Sequence, residues 1–197
     1  MLPFFAALLL SAQALAMPID DAKTRSWNGH FPKGAFHEAT DDFVSAWYSK
    51  GLEALDEPVL KDRIGRRHTT WRFLWLRTWG APVAVRVEQD AKGWSVTWKQ
   101  SDGQGGYEPG KLTSAGTRRL TPKEIETMRA RFAAARLTEL PTQDPAMGLD
   151  GAQWVMEGIV DGNYHLVDRW SPEEGDAYRA ACWTLLGFTP LGTTPTY

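Results

Sequence analysis

Three stretches of this chain repeat apolar residues every three or four positions, which is the spacing of an amphipathic helix. They cover about residues 41–55, 121–136 and 171–187. Thr121 is followed three positions later by Glu124, and Ser171 is followed in the same way by Glu174. A hydroxyl residue with an acidic residue at this spacing is typical of a capping box. We therefore expect Thr121 and Ser171 to cap the second and third helices.

Six shorter stretches carry strand signals. The second and third alternate apolar and polar residues, the first is apolar enough on both sets of positions for both of its faces to be covered, the fourth is weaker, and the last two flank a turn. They cover about residues 71–79, 83–88, 94–98, 111–118, 152–160 and 163–170. Turns and a glycine-rich loop separate the first four, and Asp161-Gly162 joins the last two in a hairpin. The sequence therefore predicts one α+β domain over residues 41–190. We expect an antiparallel sheet of about six strands, a meander plus the C-terminal hairpin, with three helices packed mainly on one face.

The Asp161-Gly162 turn also fixes how the last two predicted strands pair. Counting back from a two-residue turn places Trp154 opposite Arg169, where a guanidinium can lie over the indole ring. The same pairing places Glu157 and His165 on opposite faces of the sheet. A three-residue loop would instead bring Glu157 and His165 to one face, so the turn decides whether they can interact.

The first sixteen residues form an apolar run that ends in Ala14-Leu15-Ala16. The core of this run is too short to span a bilayer, and its small final residues are typical of a signal-peptidase site. We therefore expect residues 1–16 to be a signal peptide and the mature protein to be periplasmic or secreted. Residues 17–40 are polar and lack a regular period, which predicts an irregular segment before the domain.

Charge and cysteine content narrow the possible partners. The chain has 22 Lys and Arg against 24 Asp and Glu, a net charge of −2, which favours neither nucleic acid nor an anionic membrane. Cys182 is the only cysteine, so no intramolecular disulfide can form. No apolar stretch after residue 16 is long enough for membrane insertion. We expect a soluble domain whose partner is a protein or a small-molecule ligand of the cell envelope.

The densest group of polar side chains lies on and beside the last predicted hairpin. An imidazole with nearby carboxylates can act in general acid–base catalysis. The candidates for this role are Asp150, Glu157, His165 and Asp168. No nucleophile motif accompanies them, so the sequence defines no complete catalytic constellation. Gln153 and Arg169, from the same region, are candidates for ligand binding.

Ten tryptophans are many for a chain of 197 residues. Five of them lie on apolar stripes of predicted helices and strands, where we expect them to fill the core. These are Trp47, Trp71, Trp75, Trp94 and Trp98. Trp27, in the irregular segment, and Trp79, at a strand end, lie outside these stripes. An exposed indole can stack on a ligand, so Trp79 is a third candidate for ligand binding.

The sequence predicts neither a metal site nor a cofactor site. His30, His37 and Glu38 have no further convincing ligand nearby in sequence. Residues 105–111 have the spacing of a phosphate-binding loop, but Leu112 stands where a Ser or Thr must bind Mg²⁺. A strand is also predicted to follow, where such a loop requires a helix N-terminus. A glycine-rich hairpin loop is a sufficient explanation.

Several blocks of the sequence carry a resemblance. They are WRFLWL at 71–76, GGYEPGK at 105–111 and, most specifically, GLDGAQW at 148–154 with YHLVDRWSP at 164–172. On these blocks the chain resembles a family of uncharacterised bacterial exported proteins, over about residues 70–187. The resemblance implies export but no activity, so no catalytic residue is carried over from it.

Two hypotheses of different classes follow. The first is a non-enzymatic binding domain in the periplasm or outside the cell, because the domain is well specified while no complete catalytic constellation is visible. The alternative is a hydrolase that uses the Asp/Glu/His cluster of the C-terminal hairpin. Three of the four candidate side chains in one cleft would favour the hydrolase, and their dispersal would favour binding.

The export hypothesis predicts where the mature chain begins. Cleavage after Ala16 leaves Met17 as the first residue. N-terminal sequencing of protein recovered from the periplasm or the medium should therefore start at Met17. Recovery of exported protein that still carries Met1 would contradict the signal-peptide assignment.

Overall fold

A computed structural model describes residues 29–144, 148 and 150–192. The expected signal peptide, residues 1–16, lies outside the described residues, as does Trp27. The described chain begins in an irregular segment that packs beside the first helix. This helix is followed by a short 3-10 turn at Lys61–Arg63 and then by the sheet.

One antiparallel sheet of six strands forms the centre of the fold. Its strands are β1 (Thr70–Arg77), β2 (Val83–Asp90), β3 (Gly93–Ser101), β4 (Leu112–Arg119), β5 (Ala152–Val160) and β6 (Asn163–Trp170). The strand order is β4-β3-β2-β1-β5-β6, so the C-terminal hairpin adds to the free edge of β1. The predicted α+β domain, a meander joined by a hairpin, is confirmed.

The three helices are divided between the two faces of the sheet. They are α1 (Asp41–Ala54), α2 (Pro122–Ala135) and α3 (Ala177–Gly187). Helices α2 and α3 pack together on one face, which carries the larger hydrophobic core. Helix α1 covers the opposite face with a second core. The expectation of helices mainly on one face therefore describes α2 and α3, and β1 is buried on both sides.

Aromatic rings fill the core beneath α2 and α3. Trp75 and Trp154 lie side by side on β1 and β5 with ring centroids 5.6 Å apart. Trp183 of α3 packs edge-on against both, at 5.6 Å and 5.4 Å. The core prediction is confirmed for the buried rings of Trp71, Trp75 and Trp94, whereas Trp98 and Trp47 are partly buried and pack against the cores.

The C-terminal hairpin has the predicted two-residue turn. Asp161 and Gly162 both adopt left-handed conformations, with φ of 51° and 84°, as a tight hairpin turn requires. Trp154 lies opposite Arg169, whereas Glu157 lies opposite Leu166 rather than beside His165. The register is therefore confirmed, and Glu157 and His165 lie on opposite faces of the sheet.

The two expected helix caps have different outcomes. Thr121 caps α2 in a capping box with Glu124, as expected. Ser171 does not cap α3, which begins six residues later at Ala177 with Asp176 as its N-cap. Gly175 has a φ of +92°, so the chain leaves the helical region before α3 can begin. The Ser171 hydroxyl instead accepts a hydrogen bond from the Ala152 N–H, at 3.0 Å, and ties the ends of β5 and β6 together.

Gly158 tests how tightly the larger core is packed. It lies opposite Trp71, and a Cβ atom added there would lie 2.4 Å from the indole ring. Trp71 is buried against Phe132, so the ring has little room to move. We expect Gly158→Ala to lower the free energy of unfolding by about 1–3 kcal/mol, measured by urea denaturation.

Gly187 supplies the matched control for this prediction. It ends α3, and an added Cβ would meet no atom within 4 Å. Gly187→Ala should leave the free energy of unfolding nearly unchanged or raise it slightly, because alanine favours the helix. Equal destabilisation by both substitutions would contradict the close contact at Gly158.

Candidate functional site

Glu157 is buried in an ionic cluster beneath the segment that follows α1. Its carboxylate forms an ion pair with Arg72 of β1 and accepts a hydrogen bond from the Tyr164 hydroxyl at 2.9 Å. Glu157 and Arg72 are each only 1 % exposed. Burial raises the pKa of Glu157, although Arg72 and Tyr164 oppose the rise. The contacts of the Glu157 carboxylate are thus made with other protein side chains, and its ion pair with Arg72 links β5 to β1.

Glu57 extends this cluster towards the far strands. One carboxylate oxygen lies 3.0 Å from Arg86 Nε and 3.6 Å from Arg72 Nη1. The other lies 3.6 Å from the Lys99 ammonium. Glu57 belongs to the segment after α1, so three neighbouring strands, β1, β2 and β3, are tied to it. Removing one partner of a buried ion pair leaves the charge of the other uncompensated, and this is strongly destabilising.

Asp168 is buried on the same face of the sheet as Glu157, but it does not belong to the ionic cluster. Its Oδ2 accepts hydrogen bonds from the Tyr48 hydroxyl at 3.0 Å and from Gln143 Nε2 at 3.3 Å. Burial raises the pKa of Asp168 to about 6, although Gln143, Tyr48 and Arg169 all oppose the rise. The Asp168 N–H donates to the Thr142 carbonyl. The residue therefore joins α1, β6 and the 141–143 segment that covers the outer edge of β6.

The other two catalytic candidates lie elsewhere. His165 is on the opposite face from Glu157 and stacks against Trp71, with ring centroids 6.1 Å apart. Burial lowers its pKa, which favours the neutral imidazole. Asp150 is exposed, and its Oδ1 accepts a hydrogen bond from the Trp79 indole N–H at 3.0 Å. The structure therefore does not bring the four candidates into one cleft.

Arg169 is held by the backbone rather than free for a ligand. Its guanidinium donates to the carbonyls of Thr142 and Pro141, at 3.0 Å and 2.9 Å. It lies 5.8 Å from the centre of the Tyr178 ring, whereas Arg179 of α3 lies over Trp154. The predicted contact between the Arg169 guanidinium and the Trp154 ring is thus wrong, because the 141–142 carbonyls draw this side chain away.

Gln153, the other polar candidate for ligand binding, is half-buried near the start of β5. It pairs with Leu76 of β1 and with Trp170 of β6. Its side chain therefore shares a face with these two apolar residues. The structure places Gln153 and Arg169 on opposite faces, so these two candidates do not form one site.

Trp79 and Tyr107 form an exposed aromatic pair beyond the end of β1. Each residue is 51 % exposed. Their ring centroids are 5.1 Å apart and their planes meet at 35°. The hydrogen bond to Asp150 fixes the edge of the Trp79 indole. The structure thus joins two candidates that the sequence had assigned to different roles, Trp79 and Asp150, and adds Tyr107, which sequence reasoning missed.

Two glycines explain why Tyr107 reaches this position. A Cβ atom on Gly105 would lie 2.7 Å from the Leu76 Cα, and one on Gly106 would lie 3.0 Å from the Thr78 Cα. The loop between β3 and β4 therefore packs its backbone directly on the end of β1. The glycine-glycine-aromatic sequence was the available signal for Tyr107.

Hydrogen bonds and an ion pair hold this loop to α1 and β1. The Gly105 N–H donates to the Gly80 carbonyl at 2.9 Å, and the Trp47 indole N–H donates to the Gly105 carbonyl at 2.8 Å. Lys50 of α1 forms an ion pair with Glu108 at 2.7 Å. Because both glycines are used for close packing and a strand follows, the loop supplies a surface aromatic residue rather than a phosphate cradle.

Two surface clefts lie away from the aromatic pair. An apolar groove of about 430 Å³ lies between the sheet and α2, lined by Trp94, Pro122 and Ile125 among others. A smaller cleft of about 220 Å³ lies between the segment 32–35 and the side chains of Tyr164 and Leu166. Neither cleft is lined by any of the residues that the sequence singled out as site candidates.

The potential metal ligands in the described part of the chain are not grouped into a site. Within residues 29–144, 148 and 150–192, no three His, Cys, Asp or Glu side chains are grouped to hold a metal ion. His30 is buried, and its backbone N–H donates to the Ser49 hydroxyl oxygen. Burial lowers the pKa of the His30 ring to about 4.

Among the helices of the same described residues, none has the length and apolar character needed to cross a membrane.

Comparison with known proteins adds no function to this geometry. No family model matches the chain, and no curated protein matches its sequence. The resemblance to bacterial exported proteins therefore stays a prediction.

Asp168 gives a pH-dependent prediction. Its pKa of about 6 in the folded protein exceeds its usual 3.8, so the folded state binds the proton more tightly than the unfolded state. The contribution of Asp168 to the free energy of unfolding should therefore increase as the pH falls from about 7 to about 4. At about 1.4 kcal/mol for each pKa unit, the change is on the order of 2–3 kcal/mol.

Asp168→Asn removes this titration and keeps the shape of the side chain. Urea denaturation of both proteins across this pH range should show the wild type gaining stability relative to the variant as the pH falls. The same substitution at exposed Asp62 controls for the loss of one carboxylate charge. A constant difference between wild type and Asp168→Asn at every pH would contradict the raised pKa.

Proposed function

We propose that this chain is an exported, non-enzymatic binding domain and that the Trp79–Tyr107 pair is its ligand contact. The observation that carries the proposal is the exposure of two adjacent aromatic residues, each 51 % exposed, beyond the end of a strand buried on both faces. Aromatic side chains with an apolar body and a polar tip are enriched at binding surfaces. The ligand is a component of the cell envelope.

The support for binding includes the rigidity of the pair. The Trp79 ring is fixed by Asp150, and the backbone that carries Tyr107 is fixed by the packing of Gly105 and Gly106 on β1. A contact surface that is already ordered loses little conformational entropy when the ligand binds. The rings therefore form a prepared surface rather than two loose side chains.

The fate of the catalytic candidates also favours binding over hydrolysis. Glu157 and His165 lie on opposite faces of the sheet, and Asp168 is hydrogen-bonded inside the protein. General acid–base catalysis requires the groups to reach one substrate from a shared cleft. The hydrolase alternative has no such cleft among the described residues that carry its proposed groups.

The test of this proposal measures the fluorine NMR resonance of Trp79. The mature chain is labelled with 5-fluorotryptophan, and the fluorine resonance of Trp79 is identified by its loss in Trp79→Phe. Fractions of a periplasmic extract and of solubilised cell-wall material are then added separately. We expect at least one fraction to shift or broaden the Trp79 resonance while that of buried Trp94 stays in place.

Exposed Ile64 provides the matched control. Ile64 is 47 % exposed and precedes Gly65, whose N–H donates to the Gly162 carbonyl of the β5–β6 turn. Ile64→Ala therefore removes an exposed apolar side chain outside the pair. This variant should keep the response of Trp79, whereas Tyr107→Ala should weaken it. If no fraction affects the Trp79 resonance, the proposed function is wrong.

A further inference from the structure

We infer that the ligand of the Trp79–Tyr107 pair is a neutral carbohydrate, which stacks a sugar ring on the aromatic faces and offers hydroxyls to Asp150. This inference rests on the proposed function and gives its ligand a chemical class. It is carried by the size of the exposed surface, by the polar groups beside the rings and by the charge around them.

The size of the surface favours a small ligand. Large aromatic side chains present about 150–250 Å² each, so two half-exposed rings offer about 200 Å². A stable protein interface needs about 800 Å² from each partner. The pair alone is therefore too small for a docked protein but has the dimensions of one or two sugar rings.

The groups beside the rings match the edge of a sugar. Asp150 uses Oδ1 to accept the Trp79 N–H, and its Oδ2 has no hydrogen-bond partner in the part of the chain that the structure describes. The Tyr107 hydroxyl, likewise, has none among those residues. A carboxylate oxygen accepts from hydroxyl groups and a phenol can donate or accept, so apolar faces and polar edges coincide as they do on a pyranose.

The charges and the ring angle disfavour two other small ligands. Asp150 lies against the pair and would repel a phosphate or carboxylate ligand. Of the cations on this side of the domain, Lys50 is paired with Glu108, and the Arg77 guanidinium donates to the Ala81 carbonyl at 3.0 Å. A quaternary ammonium ion binds best inside a cage of aromatic faces, whereas these two planes meet at only 35°. A neutral ligand with hydroxyl groups fits all of these conditions.

Defined probes test the inference on the fluorotryptophan-labelled mature chain. The neutral probes are tetrasaccharides of N-acetylglucosamine, β-linked glucose and α-linked glucose, and tetramethylammonium chloride represents the cationic alternative. We expect at least one tetrasaccharide, and not tetramethylammonium, to shift the Trp79 resonance in a saturable way. Sedimentation with insoluble chitin and cellulose separates binding to a polymer surface from binding to free oligosaccharide.

Variants test whether the tetrasaccharide binds at the Trp79–Tyr107 pair. The affinity of each variant for the tetrasaccharide that shifts the Trp79 resonance is measured by calorimetry. Trp79→Ala should abolish binding, and Tyr107→Ala should weaken it at least about tenfold, which corresponds to about 1.4 kcal/mol. Ile64→Ala should bind as the wild type does. Thermal melting of each variant confirms that the fold is kept, since both altered side chains are exposed.

Each outcome decides between the two levels of the proposal. A response to tetramethylammonium alone, or to an envelope fraction but to no tetrasaccharide, overturns the carbohydrate inference and leaves the binding function in place. Carbohydrate binding that survives Trp79→Ala overturns the site. The absence of any response to probes and envelope fractions overturns both the inference and the proposed function.

Discussion

The buried ion pair between Arg72 and Glu157 is the interaction on which the rest of the structure depends. It joins β1 to β5, and within the described residues this strand pairing alone connects the meander to the C-terminal hairpin. Both side chains lie in the interior because α1 and the segment after it cover this face. Arg72 also donates to the Pro58 carbonyl at 2.6 Å, so one guanidinium fixes the hairpin and the covering segment together. Removing Arg72 would leave the Glu157 carboxylate in the core without an ion-pair partner among the described residues.

This arrangement explains why the polar residues of the hairpin do not form an active site. The side chains of a strand alternate between faces, so residues close in sequence are separated by the sheet. Glu157 and Asp168 point towards α1, where Arg72 and Tyr48 engage them. His165 points towards α2 and meets Trp71. Residues that are close in sequence thus make separate contacts on the two faces of the sheet. The exposed aromatic pair, Trp79 and Tyr107, lies beyond the end of β1.

Most of the fold could be predicted from the sequence, because periodicity and turn chemistry act locally. The Asp161-Gly162 turn alone fixed the register of β5 and β6. The failures involve contacts made by distant segments. Ser171 has the spacing of a cap, but Gly175 delays the helix, and Arg169 is drawn to the 141–142 carbonyls. Of the candidate site, Trp79 and Asp150 could be found, whereas Tyr107 could not be joined to them because that contact depends on how the loop packs on β1.

The position of the aromatic pair follows from the burial of β1. A strand covered on both faces can expose side chains only past its ends, and three distant segments meet at this end. Trp47 of α1 holds Gly105, Thr78 binds the Gly151 backbone at 2.9 Å, and Asp150 holds Trp79. Each contact belongs to a different part of the domain, so the rings can be aligned only when the whole fold is formed. A ligand that recognises the aligned rings, as we propose, would therefore stabilise the folded state by mass action.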